Sequence, residues 1–546
     1  MLILSIPSVQ SSLAKRITKS VNTKYGTSIY VNKLGLKWNG DLNLKDVYIQ
    51  DHHQDTLIYA RSLATSIISV KKLMDENFEL GDISIDEGRF FLKRYAGEQS
   101  DNISIFAKKF IPKKPSSGGE FVMSSSQVSL TNGHFKYIDE ELGNPVAVDY
   151  SSLNATLEDF DLVNDVVNAH IDELSFKAAR GYEIKTLEGD FHYGPESIML
   201  KEFDLETAHS SLQGDLEMDI SGDKMSEFTN LVEIKAAFAK AEVSTNDIEP
   251  FYKGFNEDVV LFLEGTLEGT LNNFETKDIW VRGLSNSMIQ GDIQFRNLIN
   301  EKEIVIDGKY NEVRTSYFDL KKLMPDIFKT LPGELTKLGA VKFKGTSQVT
   351  ENNLVTKGVF ITKLGNADVD VTLSNFQNTA EASYTGHVTL NEFELGNFID
   401  DERVGTTTMD LDIDGKGFIQ ESLDTKLSGK VVNLAYNGYN YKNITVFGNL
   451  NTPKFNGEIL IKDPNVKGSL NGLIDVSATT NTYDFEADID YLNLHALHLV
   501  KDSISVVKGN VIMDMSGTGI EDAAGTLSFA NTSYETKVDT LSLIHI

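Results

Sequence analysis

The sequence predicts an all-β fold, an elongated, curled antiparallel sheet that forms a groove, with short interrupting helices and an N-terminal amphipathic helix. Apolar and polar residues alternate along most of the chain, as at Leu42 and Leu44, which is typical of strands with one buried and one solvated face. Glycine is common, with 41 residues, and proline is scarce, with 10, which favours strands joined by turns. A chain of 546 residues exceeds the roughly 250 to 300 residues of one compact core, so we expect several units or one long array.

The first 24 residues predict the end of a membrane anchor followed by an amphipathic helix. Met1–Ile6 is nearly all apolar, but a bilayer span needs about 20 such residues, so we expect this segment to be the outer end of a spanning helix. After Pro7 an apolar residue recurs at every fourth position as far as Lys24, which predicts a helix with the stripe Val9, Leu13, Ile17 and Val21. Its only charges are Lys15, Arg16, Lys19 and Lys24. Two interpretations stay open: contact with anionic headgroups, or a simple cap on the first strand.

The alternation divides the remaining chain into regions. It is present in an N-terminal β region over 25–106, and it breaks at 107–119, where lysines, two prolines and the run Ser116–Gly119 predict a linker or long loop. It resumes over 120–540, a repetitive and elongated β region. The last six residues, 541–546, read LSLIHI, which is what a common sequencing-adapter end encodes. We therefore leave them out of the fold prediction.

A degenerate repeat interrupts the strands of the long β region. Each copy has a short, helix-like piece followed by a strand that ends in the pattern apolar-x-Gly, at Gly265, Gly345, Gly415 and Gly517. The helix-like pieces are Asn246–Phe255, Asp319–Thr330, Glu394–Asp401 and Asn493–Asp502. Units that bury too little alone and share a core with their neighbours predict an elongated array.

Composition excludes several classes of function. The formal net charge of −29 argues against nucleic acid, because affinity for phosphates comes from clustered Lys and Arg. The chain has no cysteine, so it has no disulfide or thiolate site. The sequence contains no P-loop, no G-x-S-x-G elbow and no metalloprotease motif. We expect a protein that is not an enzyme, with no catalytic, cofactor-binding or metal-binding residues.

One calcium-like motif has a simpler interpretation. Asp410, Asp412, Asp414 and Glu421 match the spacing of an EF-hand loop. However, the aspartates alternate with Met409, Leu411 and Ile413, as in a half-buried strand, and neither flank has helical periodicity. We therefore predict a strand with an acidic outer face.

A second motif, Asp51–Asp55, reads DHHQD and contains enough ligand types for zinc. Adjacent residues of a strand point to opposite sides of a sheet, which would separate the two histidines. We therefore favour a solvated turn between strands.

An antiparallel sheet with one apolar face must close, pack on a second sheet or curl around an apolar guest. A filled core would suggest a structural or adhesive β-rod, whereas an open groove would suit acyl chains. An exposed strand edge would also allow a chaperone-like guide for unfolded outer-membrane proteins. The predicted groove-lining residues are Ile83, Ile85, Val128, Leu130, Phe135, Tyr137, Met409, Leu411, Ile413, Ile459 and Ile461.

Several islands of sequence resemble one protein family. They are Ile6–Gln10 with the basic helix after it, Tyr25–Thr27, Leu34–Leu36, Asn39–Asp51, Gly438–Ile444 and Phe455–Asp463. Together they resemble the TamB-like proteins of Bacteroidota, which belong to the AsmA superfamily. Between these islands, as far as about Tyr534, the resemblance is one of general texture.

The resemblance implies a function and a place in the cell. Such a protein would be anchored in the inner membrane, with its bulk in the periplasm of a Gram-negative-type bacterium. It would carry phospholipid to the outer membrane along a hydrophobic groove, with a further link to outer-membrane protein assembly and secretion. A barrel of the Omp85 type would be its outer-membrane partner. Measured against the family, we expect the given sequence to begin within the anchor and to stop before the C-terminal domain that meets this partner.

Overall fold

The computed structural model describes most of the chain, and every structural statement below concerns these residues. The described ranges are 7–37, 40–66, 77–110, 122–141, 146–299, 303–328, 331–376, 378, 381–417, 422–451, 453–476, 480–501, 503–518, 522–536 and 540–545. Strands dominate them, and most strands pair antiparallel. The predicted all-β class is therefore confirmed.

The chain divides into two compact units, which we call unit 1 and unit 2. Unit 1 comprises residues 1–253 and 257–271, and unit 2 comprises residues 254–256 and 272–546. The linker predicted at 107–119 falls mostly outside the described residues and stays a prediction.

The strands of unit 1 are β1 Ser28–Leu36, β2 Asp41–Gln50, β3 Thr56–Ser66, β4 Asn77–Leu80, β5 Ile83–Arg94, β6 Val122–Asp139, β7 Val146–Val163, β8 Val166–Ala178, β9 Glu183–Tyr193, β10 Ser197–Thr207, β11 Ser211–Asp219, β12 Glu233–Ser244 and β13 Val260–Gly269. Its α-helices are Pro7–Tyr25, Asn102–Ala107, Phe228–Leu231 and Thr245–Ile248, and a 3-10 helix covers Lys224–Glu227. The N-terminal helix has the predicted extent.

Strand pairing in unit 1 contains one departure from the predicted antiparallel sheet. β1, β2, β3 and β5 pair antiparallel, and so do the consecutive strands from β6 to β13. β6, however, runs parallel to both β4 and β5. The long connection between β5 and β6 returns the chain to the end of the sheet where β5 begins, which is what a parallel neighbour requires.

The strands of unit 2 are β14 Phe274–Gly283, β15 Ser287–Arg296, β16 Val305–Ser316, β17 Ala340–Thr350, β18 Asn353–Thr362, β19 Gly365–Ser374, β20 Ser383–Glu394, β21 Val404–Lys416, β22 Asp424–Tyr436, β23 Tyr439–Asn451, β24 Lys454–Lys462, β25 Val466–Asp475, β26 Asn481–Asn493, β27 Ser505–Gly517, β28 Ala524–Thr536 and β29 Thr540–His545. Its α-helices are Tyr317–Leu323, Pro325–Phe328 and Leu395–Ile399, and a 3-10 helix covers Gly333–Leu338.

Unit 2 is a continuous antiparallel meander in which each strand pairs with the next one along the chain, from β14 to β29. Local sequence explains the tight turns. Asn437 and Gly438 join β22 to β23 with φ of 49° and 79°, the left-handed conformation that a two-residue hairpin turn favours in Asn-Gly. No pairing joins β14 to β29 among the described residues, so the sheet is not closed.

Short helices follow strand ends at three of the four predicted repeat positions. Thr245–Ile248 and Tyr317–Leu323 each begin after a serine that accepts a hydrogen bond from a backbone N–H of the first turn, which is a typical N-cap. Leu395–Ile399 is the third. The apolar-x-Gly pattern ends β27 and nearly ends β21, but β13 and β17 continue beyond it to Gly269 and Thr350.

The fourth predicted helix is wrong, because the described residues from Leu494 onward form successive turns. The Asn493 side chain accepts a hydrogen bond from the Ala496 N–H at 3.1 Å, as a helix cap would. Among the described residues that follow, one backbone hydrogen bond has the i to i+4 spacing of an α-helix, from the Leu497 N–H to the Asn493 carbonyl. His498 then has a left-handed φ of 62°. A left-handed residue ends a helix at that point.

The last strand, β29, includes most of the segment that the sequence analysis left aside. Its backbone pairs antiparallel with β28, with Tyr534 opposite Leu541. Strand addition at an edge uses backbone groups and places few demands on sequence.

Few side chains are enclosed. Unit 1 has one cluster of buried apolar residues, Ile220, Val232 and Ile234, which packs against partly buried neighbours such as Leu216 and Leu267. The buried apolar residues of unit 2, within its described ranges, are Ile279, Phe343, Leu364, Ala382, Phe393, Leu411, Ala487 and Leu497. A filled sandwich of this size would enclose far more side chains, because two facing sheets bury both inner faces.

Gly429 shows how closely the strands of unit 2 approach each other. It lies on β22 opposite Leu411 of β21, with a φ of +150°. A Cβ added there would lie 2.2 Å from the carbonyl oxygen of Asp410, which is backbone and has no flexible end to move away. Glycine is therefore required at this position by contact as well as by conformation.

We predict that Gly429→Ala lowers the free energy of unfolding of unit 2 by about 2 kcal/mol or more, because it combines backbone strain with a clash against β21. Urea denaturation followed by circular dichroism measures this change. Gly333→Ala is the matched control, since nothing lies within 4 Å of an added Cβ there, and we expect a change within about 0.5 kcal/mol. Equal midpoints for the two variants would contradict the prediction.

Candidate functional site: the apolar face of unit 2

Strand register places apolar side chains of unit 2 in continuous rows on one face of the sheet. Residues directly opposite each other in a ladder point to the same side, so chains of register partners define a row. The first row crosses eight strands, from β17 to β24, and contains Phe343, Phe360, Ala367, Leu390, Met409, Val431, Ile444 and Ile461.

The second row lies two residues away from the first on each strand that both rows cross. It spans ten strands, from β19 to β28. Its members are Val369, Val388, Leu411, Gly429, Val446, Ile459, Leu470, Ala487, Val511 and Phe529. A third row, which includes Val371, Gly386, Ile413 and Leu427, continues the pattern. We call the surface formed by the three rows the apolar face.

The apolar face brings together five of the predicted groove-lining residues. Met409 and Ile461 belong to its first row, Leu411 and Ile459 to its second, and Ile413 to its third. Leu411 is buried and the other four are half-buried. The structure therefore places these residues on one surface, whereas their role in lining a groove stays a prediction.

The dimensions of the apolar face suit long hydrocarbon chains. Ten strands spaced about 4.8 Å apart extend the second row over about 43 Å, and the first and third rows lie about 14 Å apart along the strands. Most side chains in the rows are half-buried. The result is a strip of aliphatic and aromatic groups about three side chains wide.

The opposite face of the same strands carries most of their charged side chains, together with exposed apolar residues such as Val359, Phe447 and Ile512. On β21 the exposed residues include Asp410, Asp412 and Asp414, which alternate with the apolar residues of the rows. His387 of β20 lies between two of them, with Nδ1 2.9 Å from Asp412 and Nε2 3.1 Å from Asp410. Its hydrogen bond to Asp412 is the main cause that raises the pKa of His387. This face keeps the sheet hydrated.

The calcium-like motif is part of this charged face. β21 pairs on both sides, with β20 and with β22, through the whole stretch from Asp410 to Gly415. A strand paired in this way holds its alternate carboxylates in an extended line, not around one ion. The predicted strand is confirmed, and Glu421 lies outside the described residues.

The predicted groove residues of unit 1 are also register partners. In the parallel pair of β5 and β6, Ile83 lies opposite Val128 and Ile85 lies opposite Leu130. Phe135 and Tyr137 lie opposite Phe90 and Leu92 of β5, and opposite Tyr150 and Val148 of β7. Ile83 is buried and the other five are half-buried.

The N-terminal helix exposes all four predicted basic residues, Lys15, Arg16, Lys19 and Lys24. It also packs on β1, where the Asn22 side chain accepts a hydrogen bond from the Ile29 N–H and donates one to the Ile29 carbonyl, both at 2.9 Å. Ile17, from the predicted apolar stripe, is 46% exposed. The helix therefore caps the first strand and still presents its charges to solvent, so both interpretations fit it. No helix in the described ranges is both long and apolar enough to cross a membrane.

A polar depression of about 620 Å³ lies on the charged side of β14 to β18. Outward side chains such as Asp292, Asp307, Lys309, Gln348 and Lys357 line it. Acidic and basic groups alternate there and satisfy each other, for example Lys357 with Asp370 at 2.6 Å. This depression is therefore separate from the apolar face.

Comparison with known proteins does not identify the chain. No protein-family model matches its sequence, and no curated protein matches it either. Functional conclusions therefore rest on the residues and on the surfaces that they form.

The sequence analysis grouped Ile459 with Ile461 within an unbroken apolar run, and pairing with β23 places both on the apolar face and Leu460 on the other. Sequence alternation alone missed one property of the apolar face. Glycines such as Gly429 and Gly386 belong to the rows because the backbones approach closely there. The φ values and contacts that require glycine come from tertiary structure.

Proposed function

We propose that this chain is a lipid-conducting protein of a Gram-negative-type cell envelope, and that phospholipid acyl chains lie along the apolar face of unit 2. One observation carries the proposal. The apolar rows continue across ten strands, yet few of their side chains are buried. In this proposal the protein is anchored in the inner membrane, extends into the periplasm and delivers lipid to the outer membrane. The destination, the link to protein assembly and secretion, and the barrel partner rest on the resemblance to TamB-like proteins alone.

The energetics favour movement along such a surface. Each methylene kept out of water is worth about 0.8 kcal/mol, so an acyl chain strongly prefers an apolar surface to solvent. A bilayer and the apolar face both offer hydrocarbon contacts, so exchange between them is close to neutral. Successive strands repeat similar Val, Leu and Ile contacts, and none of the described positions in the rows carries a charge that would hold a lipid in one place.

The proposal assigns the chain no catalytic step. Ion pairs of the charged face of unit 2 such as those of His387 with Asp410 and Asp412 are exposed. A passive conduit needs an apolar surface and a hydrated outside, and unit 2 has both.

Photo-crosslinking tests the occupant of the apolar face. A benzophenone amino acid at Ile459 or Ile461 should form phospholipid adducts, because both side chains belong to the rows. The chain is produced in bacterial cells, irradiated, and analysed by mass spectrometry. The same amino acid at Leu460 should give background only.

Leu460 is a stringent control because it is apolar and half-buried like its neighbours but lies on the other face of β24. Lys462 is a second outward control. Equal lipid capture at Ile459 and Leu460 would indicate nonspecific contact and reject the conduit. Capture of only intramolecular peptides at every position would favour a structural rod with a filled core, and capture of unfolded outer-membrane proteins would favour the chaperone-like guide.

The membrane end of the proposal predicts that the basic helix binds anionic lipid. Replacing Lys15, Arg16, Lys19 and Lys24 by Gln should weaken binding to vesicles that contain anionic phospholipid by at least tenfold at low salt, because each charge contributes about 1 kcal/mol. Vesicle co-sedimentation measures the affinity, which should also fall as salt rises.

The control replaces four exposed lysines of the charged face, Lys416, Lys426, Lys430 and Lys462, by Gln, an identical change in net charge. We expect this variant to retain most of the binding. Equal losses in the two variants would mean that net charge alone governs binding, and the N-terminal helix would then have only its capping role.

A further inference from the structure

Two adjacent histidines of unit 1 converge on one carboxylate. His52 Nε2 lies 2.9 Å and 3.1 Å from the two carboxylate oxygens of Glu98, and His53 Nε2 lies 2.8 Å from one of them. Within the described ranges these three residues are the one group of metal-ligand types whose donor atoms all lie within 4.8 Å of one another. Sequence reasoning missed this site because Glu98 is more than 40 residues away from the histidines.

A turn explains why both rings face the same carboxylate. The segment 51–55 joins β2 to β3 and is a turn, as the sequence predicts, so the alternation of side chains along a strand does not apply to it. Asp51 fixes the turn, because its Oδ1 accepts hydrogen bonds from the backbone N–H groups of His53 at 2.9 Å and Asp55 at 3.0 Å. His52 and His53 are therefore not directed to opposite sides of a sheet.

Buried polar groups hold the turn in place. Asp51 is only 3% exposed, and its Oδ2 accepts hydrogen bonds from the Tyr95 hydroxyl at 2.8 Å and the Asn102 amide at 2.9 Å. Burial is the main cause that raises the pKa of Tyr95, with its hydrogen bond to Asp51 next. The His53 ring stacks on Tyr95 with a centroid distance of 3.9 Å. Such a supporting shell fixes the orientation of ligand side chains in advance.

Glu98 is held equally well from the other side. Its backbone N–H donates to the Tyr95 carbonyl at 3.0 Å, and the preceding N–H groups of Ala96 and Gly97 donate to Glu140 and Glu141. These contacts fix the segment that carries Glu98 opposite the two histidines.

The surrounding charge favours a cation. Asp51, Asp55 and Glu140 lie close to the cluster, and the nearby Lys93 is already engaged, 2.8 Å from Glu140 and 3.6 Å from Asp55. The His53 side chain is 46% exposed, which leaves a path for an ion.

We propose that His52 Nε2, His53 Nε2 and the Glu98 carboxylate bind one divalent cation of the zinc class. Two imidazoles and a carboxylate are a common zinc donor set that leaves a further position for water or another ligand. Ligand atoms around tetrahedral zinc lie about 3.3 Å apart, so the contacts of 2.8 to 3.1 Å seen between these atoms need open by only a few tenths of an ångström. This ion would join the β2–β3 turn to the segment after β5. The inference does not depend on the proposed lipid function.

Isothermal titration of the full chain with Zn²⁺, after chelator treatment and removal of any affinity tag, tests the site. We expect one site per chain, and a loss of affinity of at least tenfold in each of His52→Ala, His53→Ala and Glu98→Gln. His170→Ala is the matched control, because His170 contacts a single carboxylate, Asp190, at 2.8 Å. The affinity of this variant for Zn²⁺ should equal that of the unaltered chain.

X-ray absorption of the zinc-loaded, unaltered chain gives a second test that needs no variant to fold. Two imidazole scatterers with one or more oxygen ligands support the site. Oxygen ligands alone, or one imidazole only, overturn it and indicate adventitious binding at the surface. An unchanged affinity for Zn²⁺ in Glu98→Gln, with an intact fold by circular dichroism, also overturns the proposal. The cluster would then only be a set of hydrogen bonds between the β2–β3 turn and the segment after β5.

Discussion

Strand register is the constraint on which unit 2 depends. Val431 lies opposite Met409 on one side and Ile444 on the other, and the same relation repeats from strand to strand. A slip of one residue would turn every one of these side chains to the charged face. Tight turns such as Asn437-Gly438 and close backbone contacts at Gly429 fix the register. The apolar face is thus a product of pairing, and no single residue creates it.

One-sided burial follows from this arrangement. The rows gain contacts with neighbours on their own face, but only Phe343, Leu411 and Ala487 among them are buried. Charged residues occupy the other face, where His387 bridges Asp410 and Asp412. Apolar surface that protein leaves uncovered costs free energy in water, and hydrocarbon of matching length would recover it. Phospholipid acyl chains, the proposed occupant, are hydrocarbon of this kind.

The sequence predicted features that depend on local pattern. Period-two alternation around Met409, Leu411 and Ile413 predicted the strand and its two faces, and the stripe after Pro7 predicted the N-terminal helix. Local sequence pattern did not predict the features that depend on contacts between residues far apart in the chain. The parallel pairing of β5 with β6 depends on the path of a long connection, the turns after Asn493 replace an expected helix, and Glu98 reaches His52 and His53 only in the folded chain. Alternation has no information about such pairings.

The most direct test of the central claim is a cryo-electron microscopy map of the chain purified without detergent from cells that make it. The account predicts elongated density that is separate from the polypeptide and lies along the first and second rows, over residues such as Val446 and Ile459. A second layer of protein side chains that fills the space above these rows would contradict it. The sheet would then have an ordinary protein core.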